Sequence, residues 1–361
     1  MTSGLDDVIA AETVLSDVDG TAGRLVIRGK SLAEISGHWS FEDVAGLLCD
    51  GFFDQVPQGG WARAIGNARC EVFDRVAPSF EALERLSLYD GARAGMALLS
   101  DGQDIDDALR LIAGPVVLTA ALLRRQKNER AIRPDPALLH SEDTLRMMGR
   151  DDPHGKLARS LDAYLVTVSD HGLNASTFAA RVVASTQAGL TSSVLAGMSA
   201  LKGPLHGGAP GPVIEMLDRI AGCGDARRWL EREVNDGARL MGFGHRIYKT
   251  RDPRANALKA VLQSLRDLGP IAERLAFAEE VEKVALAVLR TLKPDRRLDT
   301  NVEFFTAVLL EAIGFPVDAF TCIFAAGRVA GWVAHAREQS LNGRLIRPQS
   351  RYIGPMERVP A

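Results

Sequence analysis

Apolar residues recur at helical spacing along most of this chain. Val302, Phe305, Leu309 and Ile313 fall on one face of a helix, and Leu275, Ala278, Val281, Val284 and Val288 form a second stripe with charges opposite. Phe178, Val182 and Val183 belong to a third, whose helix is expected to be capped near Asn174 or Ser176. Strand-like alternation is rare. Its best case is residues 23–29, G-R-L-V-I-R-G, a short strand or hairpin edge. A mostly α-helical protein follows. Two polar stretches read as loops: 124–143, charged and carrying Pro134 and Pro136, and 149–155, G-R-D-D-P-H-G. Residues 203–212 hold seven Gly or Pro in ten, so no helix continues through them and they suit a domain hinge.

Composition narrows the classes. A chain of 361 residues suffices for one large domain or two ordinary ones, and for a core that needs no disulfides. The net charge of -3 gives no field that would recruit nucleic acid or an anionic membrane, so any anion site must come from local arginines. Cys49, Cys70, Cys223 and Cys322 are scattered without a C-x-x-C. That argues against a zinc site or a disulfide framework and suits a reducing cytosol, so a cytoplasmic location is expected. Residues 1–20 are acidic and lack a basic-then-apolar run, so no signal peptide is expected. The longest uncharged apolar stretch, 111–123, contains Gly114-Pro115 and is too short to span a bilayer.

The chemistry gathers in glycine-rich loops. His206 lies in G-P-L-H-G-G-A-P-G-P, and His245 in M-G-F-G-H-R-I-Y-K-T-R-D-P-R, followed by Arg246, Lys249, Arg251 and Arg254. Bare backbone around each imidazole leaves room for a ligand. Glu303 follows Asn301, an apparent N-cap, in N-V-E-F-F. Two imidazoles, a carboxylate and arginines supply an acid/base site for an anionic substrate. Arg328, inside the apolar F-A-A-G-R-V-A-G-W, needs a partner or a ligand. Each residue also has a plain structural role open to it. His206 and His245 can fill turns, Glu303 can favour a helix dipole, and Arg328 can sit in a buried ion pair. His171 can cap a helix end, and Arg347 can be tail charge. A G-K-S ending at Ser31 is no phosphate loop, because five residues separate its glycines. No histidine pair has the spacing of a helical metal site.

Together the segments resemble the citrate synthase family, including 2-methylcitrate synthase. The resemblance runs from S-D-V-D-G-T-A-G-R-L-V-I-R-G (16–29) to R-P-Q-S-R-Y-I-G-P (347–355). Its most specific parts are D-H-G-L-N-A-S-T-F-A-A-R, K-G-P-L-H-G-G-A, G-F-G-H-R-I-Y-K-T-R-D-P-R-A and F-A-A-G-R-V-A-G-W-V-A-H. The resemblance implies an all-α fold of two domains: a large helical one, 1–209 with 316–361, and a small mobile one, 210–315, that binds CoA and closes over the site. It implies an acyltransferase that condenses acetyl-CoA with oxaloacetate and hydrolyses the product to citrate and CoA. His206 would activate the thioester, His245 the ketone, and Glu303 would be the base. Arg254, Arg328 and Arg347 would clamp carboxylates beside His171 and Phe324, and Lys249 would meet CoA phosphates. Arg347 would reach in from the neighbouring subunit of a homodimer. No metal or redox cofactor would be needed, CoA thioester being substrate.

One position departs from the pattern. The base in the best-studied citrate synthases is aspartate, whereas Glu303 adds a methylene; a compensating setback of its helix is expected. The length leaves no room for the extra N-terminal domain of the NADH-regulated hexameric enzymes, so no NADH inhibition through it is expected. Three other activities stay open: 2-methylcitrate synthesis from propionyl-CoA, a non-catalytic oxaloacetate- or CoA-binding paralogue, and a metal-dependent lyase using three histidines. The residues do not distinguish acetyl-CoA from propionyl-CoA, since one methyl gives modest discrimination.

Overall fold

The computed structural model describes residues 5, 8–207, 210–245 and 247–355. The expected hairpin edge is the middle strand of an antiparallel sheet, β1 (Ser16–Asp19), β2 (Arg24–Ile27) and β3 (Lys30–Ser31). Ser16 pairs with Ile27, and Val26 with Ser31. All further regular structure among the described residues is helical. The first half holds α1 (Leu32–Ile35), α2 (Phe41–Cys49), α3 (Gly60–Val76), α4 (Phe80–Leu83), α5 (Leu88–Met96) and α6 (Ile105–Gln126). Then come α7 (His140–Met147), α8 (Lys156–Thr167), α9 (Ala175–Ala184) and α10 (Leu190–Leu201). After the Gly/Pro run stand α11 (Gly211–Cys223), α12 (Ala226–Asn235), α13 (Pro253–Gln263), α14 (Pro270–Leu292), α15 (Val302–Ile313) and α16 (Phe320–Asn342).

The core is organised around α16. By length and composition it could cross a bilayer, but it is buried under α2, α6, α8, α9 and α10. Trp332, Phe320, Val329 and Val333 are inaccessible, and each large side chain so buried contributes about 1.5–3 kcal/mol. The stretch 111–123 lies inside α6, which runs on through Pro115.

The loop expected at 124–143 is shorter than its polarity suggested. α6 reaches Gln126 and α7 begins at His140, because a buried arginine draws this polar sequence inward. Arg69 of α3 donates Nε–H to Asp143 at 2.9 Å and Nη2–H to the Leu138 carbonyl at 2.7 Å. The break at 149–155 is as expected, between α7 and α8.

The stripe on α9 also differs from expectation. Asn174 caps the helix, accepting the Ser176 and Thr177 amides. However, Phe178, Val182 and Val183 are half-buried, and Ser176, Thr177 and Arg181 turn inward.

Candidate active site

His206 sits where α10 gives way to α11. Its amide bonds the Gly203 carbonyl at 2.9 Å, and the Gly207 amide reaches back to Leu201 at 3.0 Å, so the turn folds onto the end of α10. Gly208 and Ala209 lie outside the described residues. The His206 ring places Nε2 2.8 Å from Ser176 Oγ and stands edge-on to Phe324 at 6.4 Å. Ser176 Oγ also lies 2.7 Å from Asn174 Oδ1, but that oxygen already accepts two amides, and Ser176 Oγ itself accepts the Trp332 indole N–H at 3.2 Å. The serine proton is therefore best used on His206 Nε2, which leaves Nδ1–H as the free donor. Burial, with Arg328 and Arg254 nearby, lowers this imidazole to about 4, so it is neutral at pH 7.

The loop carrying His245 is stitched to the start of α15. Asn301 donates its amide to the Gly242 carbonyl at 2.9 Å and its side-chain N–H to the Gly244 carbonyl at 2.8 Å. Gly242 and Gly244 have φ of 83° and 81°. A Cβ on Gly242 would lie 2.8 Å from Phe304 Cβ, and one on Gly244 2.8 Å from Leu298 Cδ2. These glycines thus serve a left-handed backbone and close packing against the protein itself, not the ligand approach expected of them. His245 Nδ1 accepts the amides of Ile247 and Tyr248, both at 3.0 Å. Its proton must then ride on Nε2, which lies 3.2 Å from Arg254 Nη2. Two N–H donors face each other, an arrangement suited to an acceptor oxygen between them. This ring too is lowered to about 4, by burial and then by Arg254.

Around this pair stand the other candidates. His171 is buried 6.0 Å from the His245 ring and 3.0 Å from the Tyr248 hydroxyl. Burial, then Arg254 and Arg328, holds it well below the ordinary histidine range. Arg254, in the first turn of α13, grips both Asp252 oxygens at 3.0 and 2.8 Å. Arg328 is buried on α16, donates Nε–H to the Val168 carbonyl at 2.6 Å, stacks on Phe324 at 5.1 Å and leaves Nη2 without a partner. Burial lowers its guanidinium to about 10, still charged at neutral pH. Glu303 follows its cap as expected, its amide bonded to Asn301 Oδ1 at 3.0 Å. Burial pushes its carboxyl up to about 7 against the pull of Arg254 and Arg239.

Not every candidate joins the cluster. Arg347 is exposed, and the preceding Ile346 amide is bonded to Ser185 at the far end of α9. That is roughly 13 Å along the helix from Ser176, so within one chain the structure does not bring Arg347 to the other candidates. Lys249 is exposed, its amide bonded to the Gly20 carbonyl at 2.9 Å. Of the basic run, Arg251 is taken by Glu282 at 2.9 Å, and Arg246 lies outside the described residues. Three residues were missed from sequence: Ser176, Tyr248 and Asp252. Asp252 caps α13 and also accepts the Val302 amide at 3.1 Å, locking the arginine-bearing helix to the glutamate-bearing one. Its D-P-R spacing, an N-cap before Pro at the first helical position, was its only signal.

The chain matches the family model described as "Citrate synthase, C-terminal domain" over residues 4–349. It is 33% identical to the citrate synthase of Haloferax volcanii, covering 97% of this chain and 95% of that one. Among solved structures it resembles citrate synthase from Thermotoga maritima, with TM-score 0.84 and 32% identity over 100% of this chain and 98% of that one. It also resembles the citrate synthase of Thermoplasma acidophilum in a ternary complex with carboxymethyl coenzyme A and oxaloacetate. There the TM-score is 0.87 and the identity 29%, with the same coverage of 100% and 98%.

Proposed function

The chain belongs to the citrate synthase family, and from that premise we propose that it condenses acetyl-CoA with oxaloacetate and hydrolyses the product to citrate and CoA. The observation that carries this reading is the pair of donors, His245 Nε2–H and Arg254 Nη2–H, converging 3.2 Å apart near a second buried guanidinium. Such a set fits a keto acid with two carboxylates. Oxaloacetate, one of the two ligands of the Thermoplasma relative, is of this chemistry.

In this reading Arg254 and Arg328 hold the carboxylates, with His171 and Phe324 alongside, and the ketone oxygen accepts the His245 proton. The acetyl methyl group faces Glu303 and the thioester oxygen faces His206 Nδ1–H. Glu303 removes a methyl proton as the thioester oxygen gains charge, and the enol carbon attacks the ketone. His245 Nε2–H hydrogen-bonds the new alkoxide and passes it a proton that is replaced by the one Glu303 took from the methyl group, and water then adds to the thioester carbonyl and expels CoA thiol, giving citrate. A donor placed where charge develops lowers such a barrier by roughly 3–4 kcal/mol, and a placed base contributes about 10²–10⁴-fold. Glu303 stands at the second helical position after its Asn301 cap, and a setback of that helix to absorb the extra methylene is part of the proposal. The steps use no metal or redox cofactor.

Residues from both expected segments contribute: His171, His206, Phe324 and Arg328 from one, His245, Arg254 and Glu303 from the other. Closure of 210–315 over bound substrate would exclude water from the enolate. Lys249, exposed at the edge, suits a CoA phosphate. A homodimer is proposed on two grounds: the half-buried apolar residues Phe178, Val182 and Val183 on α9, and the distance of Arg347 from the site in its own chain.

The test is free-thiol release with oxaloacetate and each of acetyl-CoA and propionyl-CoA, with the product identified. Citrate from acetyl-CoA at the higher kcat/KM is expected. A higher kcat/KM for propionyl-CoA would make the chain a 2-methylcitrate synthase, and folded protein that releases thiol from neither would refute an enzymatic role.

A further inference from the structure

A polar stripe runs along the otherwise apolar α16. Arg328, Gly331, His335 and Glu338 follow at i, i+3, i+7 and i+10, on one helical face. Gly331 lets this face press on the segment leading into α9, since a Cβ there would lie 2.3 Å from the Ser169 carbonyl oxygen and 3.0 Å from Asp170 Oδ1. The approach brings His335 Nε2 to 3.2 and 3.3 Å from the two Asp170 oxygens. Behind it, His335 Nδ1 accepts from Arg181 Nη1 at 2.9 Å, so Nε2 carries the proton given to Asp170. Arg181 is paired in turn with Glu338.

Asp170 is fully buried and has a second tie. The Ser16 hydroxyl of β1 donates to its Oδ2, and Ser16 Oγ accepts the Gly172 amide at 2.9 Å. Carboxylate, hydroxyl and amide therefore close a ring around His171. The next residue toward the core to be engaged is Val168, whose carbonyl receives Arg328 Nε–H at 2.6 Å. Burial works to raise the Asp170 carboxyl, but His335, Arg328 and Ser16 outweigh it and keep it below the ordinary range.

We infer that Asp170, oriented by His335, is the positioning residue for the oxaloacetate end of the site: it holds the turn that carries His171 and that begins, two residues before Asp170, with the Val168 carbonyl on which Arg328 is seated. This rests on the condensation reading above. Neither residue faces the thioester, so the effect falls on one substrate. A merely structural role would weaken both substrates alike, or stability alone.

The experiment compares Asp170→Asn, His335→Gln and Ser16→Ala in the full chain. Steady-state KM for oxaloacetate and for acetyl-CoA would be measured, with direct calorimetric titration of oxaloacetate. Asp170→Asn and His335→Gln are expected to raise the oxaloacetate KM and dissociation constant about tenfold or more, with the acetyl-CoA KM within about twofold. Ser16→Ala, at the sheet edge, gives the same split at about two- to fivefold, and carries the test if the buried variants do not fold. Unchanged oxaloacetate affinity in folded variants, or equal loss for both substrates, overturns the inference. Wild-type protein that neither binds oxaloacetate nor releases thiol overturns the condensation reading instead.

Discussion

Replacing Glu303 by glutamine separates a catalytic role from a capping one, because the two predict opposite effects on stability. Folding raises this carboxyl from about 4.5 to about 7, chiefly by burial. Between those values the unfolded chain has lost the proton and the native one keeps it. The native state therefore binds more protons, and stability falls as pH rises through that window, then levels off above about 7. The shift corresponds to roughly 3 kcal/mol of native-state cost at pH 8. Glutamine keeps the shape and carries no charge, so the variant escapes that cost. Glu303→Gln is expected to melt about 4 °C above wild type at pH 8, for a chain of 361 residues. The difference should shrink to about 1 °C at pH 5 and vanish only below about 4.5. Turnover should fall by at least about 10³-fold, the scale of a lost base. In wild type, kcat/KM for oxaloacetate should rise tenfold per pH unit up to about 7, since His206 and His245, at about 4, stay neutral throughout. Scanning fluorimetry from pH 5 to 8.5 and thiol release over the same range measure both. A variant destabilised equally at every pH, with turnover near wild type, would mean that the carboxylate serves the helix dipole and is not the base.

Three further outcomes follow from particular contacts. Ser176→Ala removes the hydroxyl 2.8 Å from His206; turnover should drop about 10–100-fold with oxaloacetate affinity unchanged, and unchanged turnover would show that the serine does not set the tautomer. Gly242→Ala should cost roughly 2–4 kcal/mol in chemical denaturation, since its φ is 83° and a Cβ would meet Phe304 at 2.8 Å. Gly222→Ala, in α11 with nothing within 4 Å, should instead stabilise by up to about 1 kcal/mol, and equal effects at the two sites would contradict the packing account. Refolded equimolar mixtures of Arg347→Gln and Glu303→Gln should recover about a quarter of wild-type activity, because half the dimers then hold one intact site; no recovery would place Arg347 outside the partner's site.

What was legible in the sequence was what short spacing decides. The caps at Asn174 and Asn301, the strand at 24–27 and the interruption between α10 and α11, which begins at Gly211, rest on residues within a few positions of one another, and among the described residues all stand in the structure. What was not legible depends on partners far along the chain. Hydrophobicity alone put Phe178 and Val182 on the buried face of α9. The face that turns inward carries Arg181, whose partners His335, Glu338 and Gln339 lie more than 150 residues away. Likewise Asp143 looked like loop until Arg69, 74 residues earlier, claimed it. Within the site, His206, His245 and Arg328 were chosen for residue type in a glycine-rich or apolar setting. Tyr248 and Asp252 were passed over because an aromatic and an aspartate beside a proline are ordinary in loops.

The same cause sets the acid and the base in opposite directions. Burial pushes Glu303 up and both imidazoles down, and Arg254 lowers all three. Without that guanidinium, burial alone would drive the carboxyl above 7 and leave it protonated at neutral pH. Arg254 therefore does more than offer two donors to a carboxylate, because its field keeps Glu303 near the point where it is both ionised and basic. On the proposed reading, oxaloacetate brings two negative charges against Arg254 and Arg328 and cancels part of that field. Glu303 and the imidazoles then both move up once oxaloacetate is bound: the ionised carboxylate is a stronger base but a smaller fraction of it is ionised at neutral pH, and the imidazoles stay neutral donors. The gain in basicity offsets the lost ionised fraction only while Glu303 stays near the working pH, so part of the Arg254 field must remain on the carboxylate with oxaloacetate in place.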